Sequence, residues 1–79
     1  MKKLEVNQEH MYILFENDEG ELILRVTCGG IGMFNVAFKL SESEVKEFRD
    51  KGTELLISLS RTVNKENDSE DWQKRFIKI

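Results

Sequence analysis

Cys28 and His10 are the side chains of this sequence that could work together as a thiol nucleophile and its base. The hairpin expected to join them sets His10 opposite Thr27, beside Cys28, but strand parity sends the two side chains to opposite faces. A dyad would need a bulge at that end of the hairpin. A small buried thiol and an exposed imidazole account for both residues without chemistry. Among the carboxylates, Glu44 reads as a helix cap and Glu42, Glu47, Asp50 and Glu54 as the solvated side of a helix, so no pair is set apart for acid–base work. Gly29-Gly30-Ile31-Gly32 leads into a strand instead of a helix N-terminus. It therefore reads as a hairpin connection with Ile31 exposed at its tip, not as a phosphate cradle. One Cys and one His give no zinc cluster. The sequence points to no catalytic residue, cofactor or metal, and the chain is not read as an enzyme.

The elements that carry these residues are marked most clearly at Leu40-Ser41-Glu42-Ser43-Glu44-Val45, where strand-like alternation gives way to helical spacing. Ser41 and Glu44 can exchange capping hydrogen bonds, and Leu40 can pack on Val45. Before the cap, His10 to Glu16 and Glu21 to Cys28 flank the turn Asn17-Asp18-Glu19-Gly20, and Met33 to Leu40 alternates as a third strand. Pairing Glu16 with Glu21 sets Phe15 against Leu22, Ile13 against Leu24 and Met11 against Val26. Pairing Thr27 with Met33 then sets Val26 against Phe34, Leu24 against Val36 and Leu22 against Phe38. After the cap, Val45, Phe48, Gly52, Leu55, Leu56, Leu59 and Val63 form one stripe of a helix from about Ser41 to Asn64, with Ile57 exposed away from it. Gly52 permits either a close approach to the strands or a break; the unbroken apolar phase favours one helix with a bend. A polar linker over 65–71 leads to Trp72-Gln73-Lys74-Arg75-Phe76-Ile77-Lys78-Ile79, which suits a short helix or an edge strand. The expected fold class is α+β: a three-stranded antiparallel meander, one long helix on one sheet face, and a docked C-terminal segment.

Composition narrows the functions. Seventy-nine residues at 39 % apolar content make one small domain with no disulfide to staple it. The start of the chain has no apolar signal region and no window is long enough to span a bilayer, so a cytoplasmic protein with no membrane partner is expected. A net charge of −3 argues against a nucleic-acid partner. The cations Arg25 and Lys39 also fall on the opposite sheet face from Phe34 and Phe38, which separates phosphate contact from base stacking. Residues 1–24 hold six acids against two lysines, which makes the first hairpin an acidic surface suited to a basic partner.

The second sheet face is where binding is expected. Tyr12, Leu14, Ile23, Met33 and Ala37 share it with His10, Arg25, Asn35 and Lys39, which is too apolar for a wet surface. The Trp72–Ile79 tail is the first candidate to cover it, then a second copy in a homodimer, then another protein; free strand edges would support the last two. The partner-binding residues expected are Tyr12, Leu14, Glu16, Asp18, Glu19, Glu21, Ile23, Arg25 and Trp72.

Leu40-Ser41 through Glu44, Gly52, Leu55-Leu56, Leu59-Ser60 and Val63, with Trp72 and Arg75 beyond, resemble small stand-alone bacterial immunity proteins of polymorphic toxin systems. In these a strand meander precedes a helix opening on a Leu-Ser/Thr-x-x-Glu cap. The resemblance covers the C-terminal half and implies a non-enzymatic inhibitor that binds a toxin and blocks it. It transfers no site motif to named residues. The alternative reading is a homodimeric structural or accessory subunit.

Overall fold

The computed structural model describes residues 1–29 and 32–78. In chain order the elements are β1 (Lys2–Asn7), β2 (Tyr12–Glu16), β3 (Leu22–Cys28), β4 (Phe34–Lys39), α1 (Glu42–Lys51), α2 (Thr53–Glu66), α3 (Glu70–Gln73) and β5 (Phe76–Ile77). The strands form a single antiparallel sheet in the order β1-β2-β3-β4-β5, so the α+β class holds and the expected meander gains a strand on each side. β1 contains only two apolar residues among its six and exists through its pairing with β2, Val6 lying opposite Ile13 and Glu5 opposite Leu14, with a slip at Leu4. The turn that follows uses Asn7, whose Oδ1 accepts the His10 N–H at 2.9 Å, and puts Met11 at φ +56°. His10 thus belongs to this turn and not to β2.

Asn17 decides how the next hairpin closes. Its N–H donates to the Glu21 carbonyl and its carbonyl accepts from Gly20, both at 3.0 Å, while its Oδ1 accepts from the N–H groups of Glu19 and Glu21. With Gly20 at φ +79°, the loop is the three residues Asp18-Glu19-Gly20 and Asn17 opposes Glu21. The expected four-residue loop is one residue too long. The correction moves β2 by one position: Tyr12 opposes Val26 and Leu14 opposes Leu24, so those two side chains enter the core while Ile13 and Phe15 turn to the other face. β4 is displaced by two positions, Leu24 opposing Phe38 and Val26 opposing Val36, which leaves its faces as expected. The expected exposure of Ile31 lies outside the described residues.

The capping box is present: Ser41 Oγ accepts the Glu44 N–H at 3.3 Å and Glu44 Oε1 accepts the Ser41 N–H at 2.8 Å. The single long helix is corrected to two. Gly52 ends α1 and starts α2 at φ +63°, ψ −134°, a conformation that needs glycine, and a Cβ built there meets no atom within 4 Å. Gly52 is a break, not a point of close approach. Helix α1 leaves Val45 and Phe48 half-buried, whereas α2 buries Leu55, Leu56, Ser60 and Val63 and packs on β3 and α1. Ile57, expected to be exposed, is half-buried against the same core. Gly52→Ala should lower stability by about 2 kcal/mol through backbone strain alone, or about 10 °C in Tm for a chain of this size. Thermal unfolding followed by circular dichroism checks it, and an unchanged Tm would mean that the two helices can merge.

The core on the helix side joins Tyr12, Leu14, Leu24, Val26, Cys28, Phe38 and Leu40 to Leu56 and Val63, each fully buried aliphatic or aromatic side chain being worth about 2 kcal/mol. The C-terminal segment is both things expected of it in turn: α3, capped by Ser69, then β5 against Ala37 and Phe38 of β4. Trp72 stands edge-on to Phe38 at 5.0 Å between centroids and stacks on Phe76 at 6.2 Å, so it joins the helix-side core. The described part of the tail therefore leaves the second sheet face uncovered, apart from Ile77 and Lys78 at its edge.

Candidate functional site

Among the described residues the helices pack on one side of the sheet, and the other side is built mainly from strand side chains. Registers across the strands align Lys3, Phe15, Ile23 and Lys39 in one row, Val6, Ile13, Arg25, Ala37 and Ile77 in the next, and Thr27 with Asn35 beyond. Phe15, Ile23 and Ala37 form a second apolar cluster, with Ile13 packed against it and no helix residue taking part. Phe15 is only 7 % exposed because its neighbours lie across it, including the Arg25 guanidinium 5.6 Å from its ring centroid. Val6 and Ile77 stay exposed at opposite ends of the middle row.

Arg25 stands at the centre of this face between two hollows. One, of about 330 Å³, is lined by Val6, Asn7, Met11, Ile13 and Thr27 with Arg25; the other, of about 380 Å³, by Asn35, Ala37, Ile77 and Lys78 with Arg25. The Thr27 hydroxyl donates to Asn35 Oδ1 at 2.7 Å, closing the polar end. Lys39 reaches Glu21 Oε2 at 2.8 Å; that contact raises the Lys39 ammonium pKa and lowers that of the Glu21 carboxyl. Among the described residues neither Arg25 nor Lys3 makes an ion pair.

Of the residues expected to bind a partner, Ile23 and Arg25 lie together on this face, with Glu21 at its edge on Lys39. Tyr12 and Leu14, each 1 % exposed, are in the helix-side core because of the one-residue change in pairing, and Trp72 lies with them. The acidic residues do not make one surface. Glu21 is held by Lys39 and Asn17, Asp18 and Glu19 are exposed in the turn, and Glu16, opposite Leu22, falls on the helix side. Sequence reasoning missed Ile13, Phe15, Val6 and Lys3, which join the site only once β1 and the Asn17 turn are placed.

Cys28 is fully buried, and burial pushes its thiol pKa up, the direction opposite to a thiolate nucleophile. Among the described residues no group of three His, Cys, Asp or Glu gathers as a metal site, and no helix is long and apolar enough to cross a membrane. Glu5, on the helix side of β1, accepts hydrogen bonds from the Tyr12 hydroxyl and from Thr53 Oγ1, the latter at 3.1 Å. Burial first, then the Glu5 hydrogen bond, raises the Tyr12 phenol to about 12. Tyr12 is the only tyrosine, so phenolate absorbance reports it alone. The rise should come near pH 12, and stability from this group should be intact below the ordinary phenol pKa and lost as pH climbs through the folded value. A transition near the ordinary pKa would mean that the phenol is not buried.

Comparison of the chain with known protein families, with curated proteins and with solved structures finds no match.

Proposed function

We propose that this chain is a non-enzymatic protein-binding module, an inhibitor or immunity-type protein that occludes a partner with the open face of its sheet. The observation that carries the reading is the arrangement of that face: a cluster of Phe15, Ile23 and Ala37 buried by its own strand neighbours, exposed Val6 and Ile77 at its ends, and no helix over it among the described residues. Sheet faces of this composition in small domains are ordinarily packed against something. The resemblance of the capped helix and tail to immunity proteins agrees with the reading.

Site-specific photocrosslinking in the native cell tests it. A benzophenone side chain replacing Val6 or Ile77 should give an adduct heavier than two copies of the chain, while the same group replacing Arg61 on the exposed side of α2 should give none. Adducts of twice the chain mass would indicate a homodimer instead, and absence of open-face adducts would refute binding there.

A further inference from the structure

We infer that the open face is matched to an acidic protein surface, one that brings a carboxylate to Arg25 and apolar side chains to the hollow beside Ile13. This rests on the proposed binding role and specifies the partner's chemistry. Among the described residues the face carries Lys3, Arg25 and Lys39 against Glu21, with Glu19 of the adjoining turn also acting on Lys39 and Glu21, inside a chain whose net charge is −3. Its charge is thus opposite in sign to that of the whole molecule. Arg25 is half-buried, lies against Phe15 and makes no ion pair among the described residues. Among the described residues no acceptor meets its donors, which stay open to solvent, so a partner's carboxylate can reach a guanidinium already held against the Phe15 ring. The hollow bounded by Val6, Met11 and Ile13 lies directly beside it and supplies apolar contact.

Other occupants fit less well. A second copy stacked face to face would set Arg25, Lys3 and Lys39 against the same cations. Single-stranded nucleic acid would need aromatic faces for its bases, and Phe15, the aromatic of this face, is 7 % exposed beneath Arg25.

The test is an NMR titration of the full chain, labelled with nitrogen-15, using three probes: a short peptide alternating Glu and Val, the same peptide with Lys for Glu, and an oligothymidylate of matched charge. The acidic peptide alone should shift the amides of Ile13, Phe15, Ile23, Arg25 and Ala37, with affinity falling roughly tenfold between about 50 and about 300 mM salt. Arg25→Glu should abolish the shifts and Arg25→Gln should weaken them; the second variant removes the charge without reversing it if the first fails to fold. No open-face shifts with the acidic peptide, or equal shifts with the basic one, overturn the inference. Shifts with the oligonucleotide reassign the face to nucleic acid, and shifts that depend on protein concentration alone reassign it to a second copy. Heteromeric crosslinks from Val6 or Ile77 together with a silent acidic peptide would leave the binding role standing and remove only its acidic partner.

Discussion

Tyr12→Ala is expected to remove about 4 kcal/mol of stability, close to the whole of what a domain this small possesses, while Met11→Ala changes it by less than about 0.5 kcal/mol. Tyr12 is 1 % exposed, packs with Leu14, Leu24 and Val26, and donates its hydroxyl to Glu5; removing it leaves a cavity and deprives a carboxylate of a partner. Met11 is 40 % exposed in the β1–β2 turn, where alanine meets the same backbone conformation. Urea unfolding of the two variants side by side gives the answer. Equal losses, or a greater one at Met11, would support the pairing of Met11 with Val26 and overturn the observed register. Tyr12→Phe should retain most of the stability, because the ring supplies the packing and only the hydrogen bond to Glu5 is lost.

That contrast is sharp because one residue of loop length separates the two pairings. Phe15, Ile13 and Met11 alternate with Glu16, Leu14 and Tyr12, so apolar residues fall on both parities of β2 and hydrophobic pattern alone does not choose. The choice lies with Asn17, whose side chain binds the N–H groups of Glu19 and Glu21 and shortens the loop. Opposite β4 the ambiguity is harmless: its displacement by two positions leaves Ala37 and Lys39 on the face expected of them, together with Ile23 and Arg25. Half of the candidate site was therefore legible, the half anchored by β3. The rest depended on β1, whose six residues carry too little apolar alternation to announce a strand before β2 offers a partner. Gly52 was legible as either a bend or a break, and the sequence favoured the bend, since Val45, Phe48, Leu55, Leu56, Leu59 and Val63 keep helical phase across it. The direction taken by Trp72 was not legible either, because Phe38, Phe76 and Arg75, which hold it, are distant or ambiguous in sequence.

Arg75→Ala should lower stability by about 3 kcal/mol, the sum expected for a charge-assisted fork and a cation–π contact, and Tm by roughly 15 °C. Its guanidinium donates to both Glu44 oxygens, at 2.6 and 3.1 Å, and to the Lys39 carbonyl at 3.0 Å, and lies 4.7 Å from the Trp72 centroid and 4.8 Å from that of Phe38. One side chain thus ties the C-terminal segment to the cap of α1 and to the end of β4. Arg75→Lys retains the charge without the fork and should recover less than half of the loss. Burial alone would push the Glu44 carboxyl up, but the hydrogen bonds from Arg75 and Ser41 outweigh it and hold the group below its usual range. A carboxyl depressed in the folded state adds stability above its unfolded pKa, and that stability is lost as pH falls through the folded value. The gap in urea midpoint between the parent and Arg75→Ala should therefore be widest at neutral pH and narrow as the pH falls through the depressed Glu44 value. Trp72, the only tryptophan, reports the tail directly. In Arg75→Ala its emission should shift to the red before the sheet's circular dichroism is lost, because the remaining ties of the segment are the ring contact of Trp72 with Phe38 and the two residues of β5. Coincident transitions at the parent's midpoint would show that the ring contacts of Trp72 with Phe38 and Phe76 hold the segment without the fork.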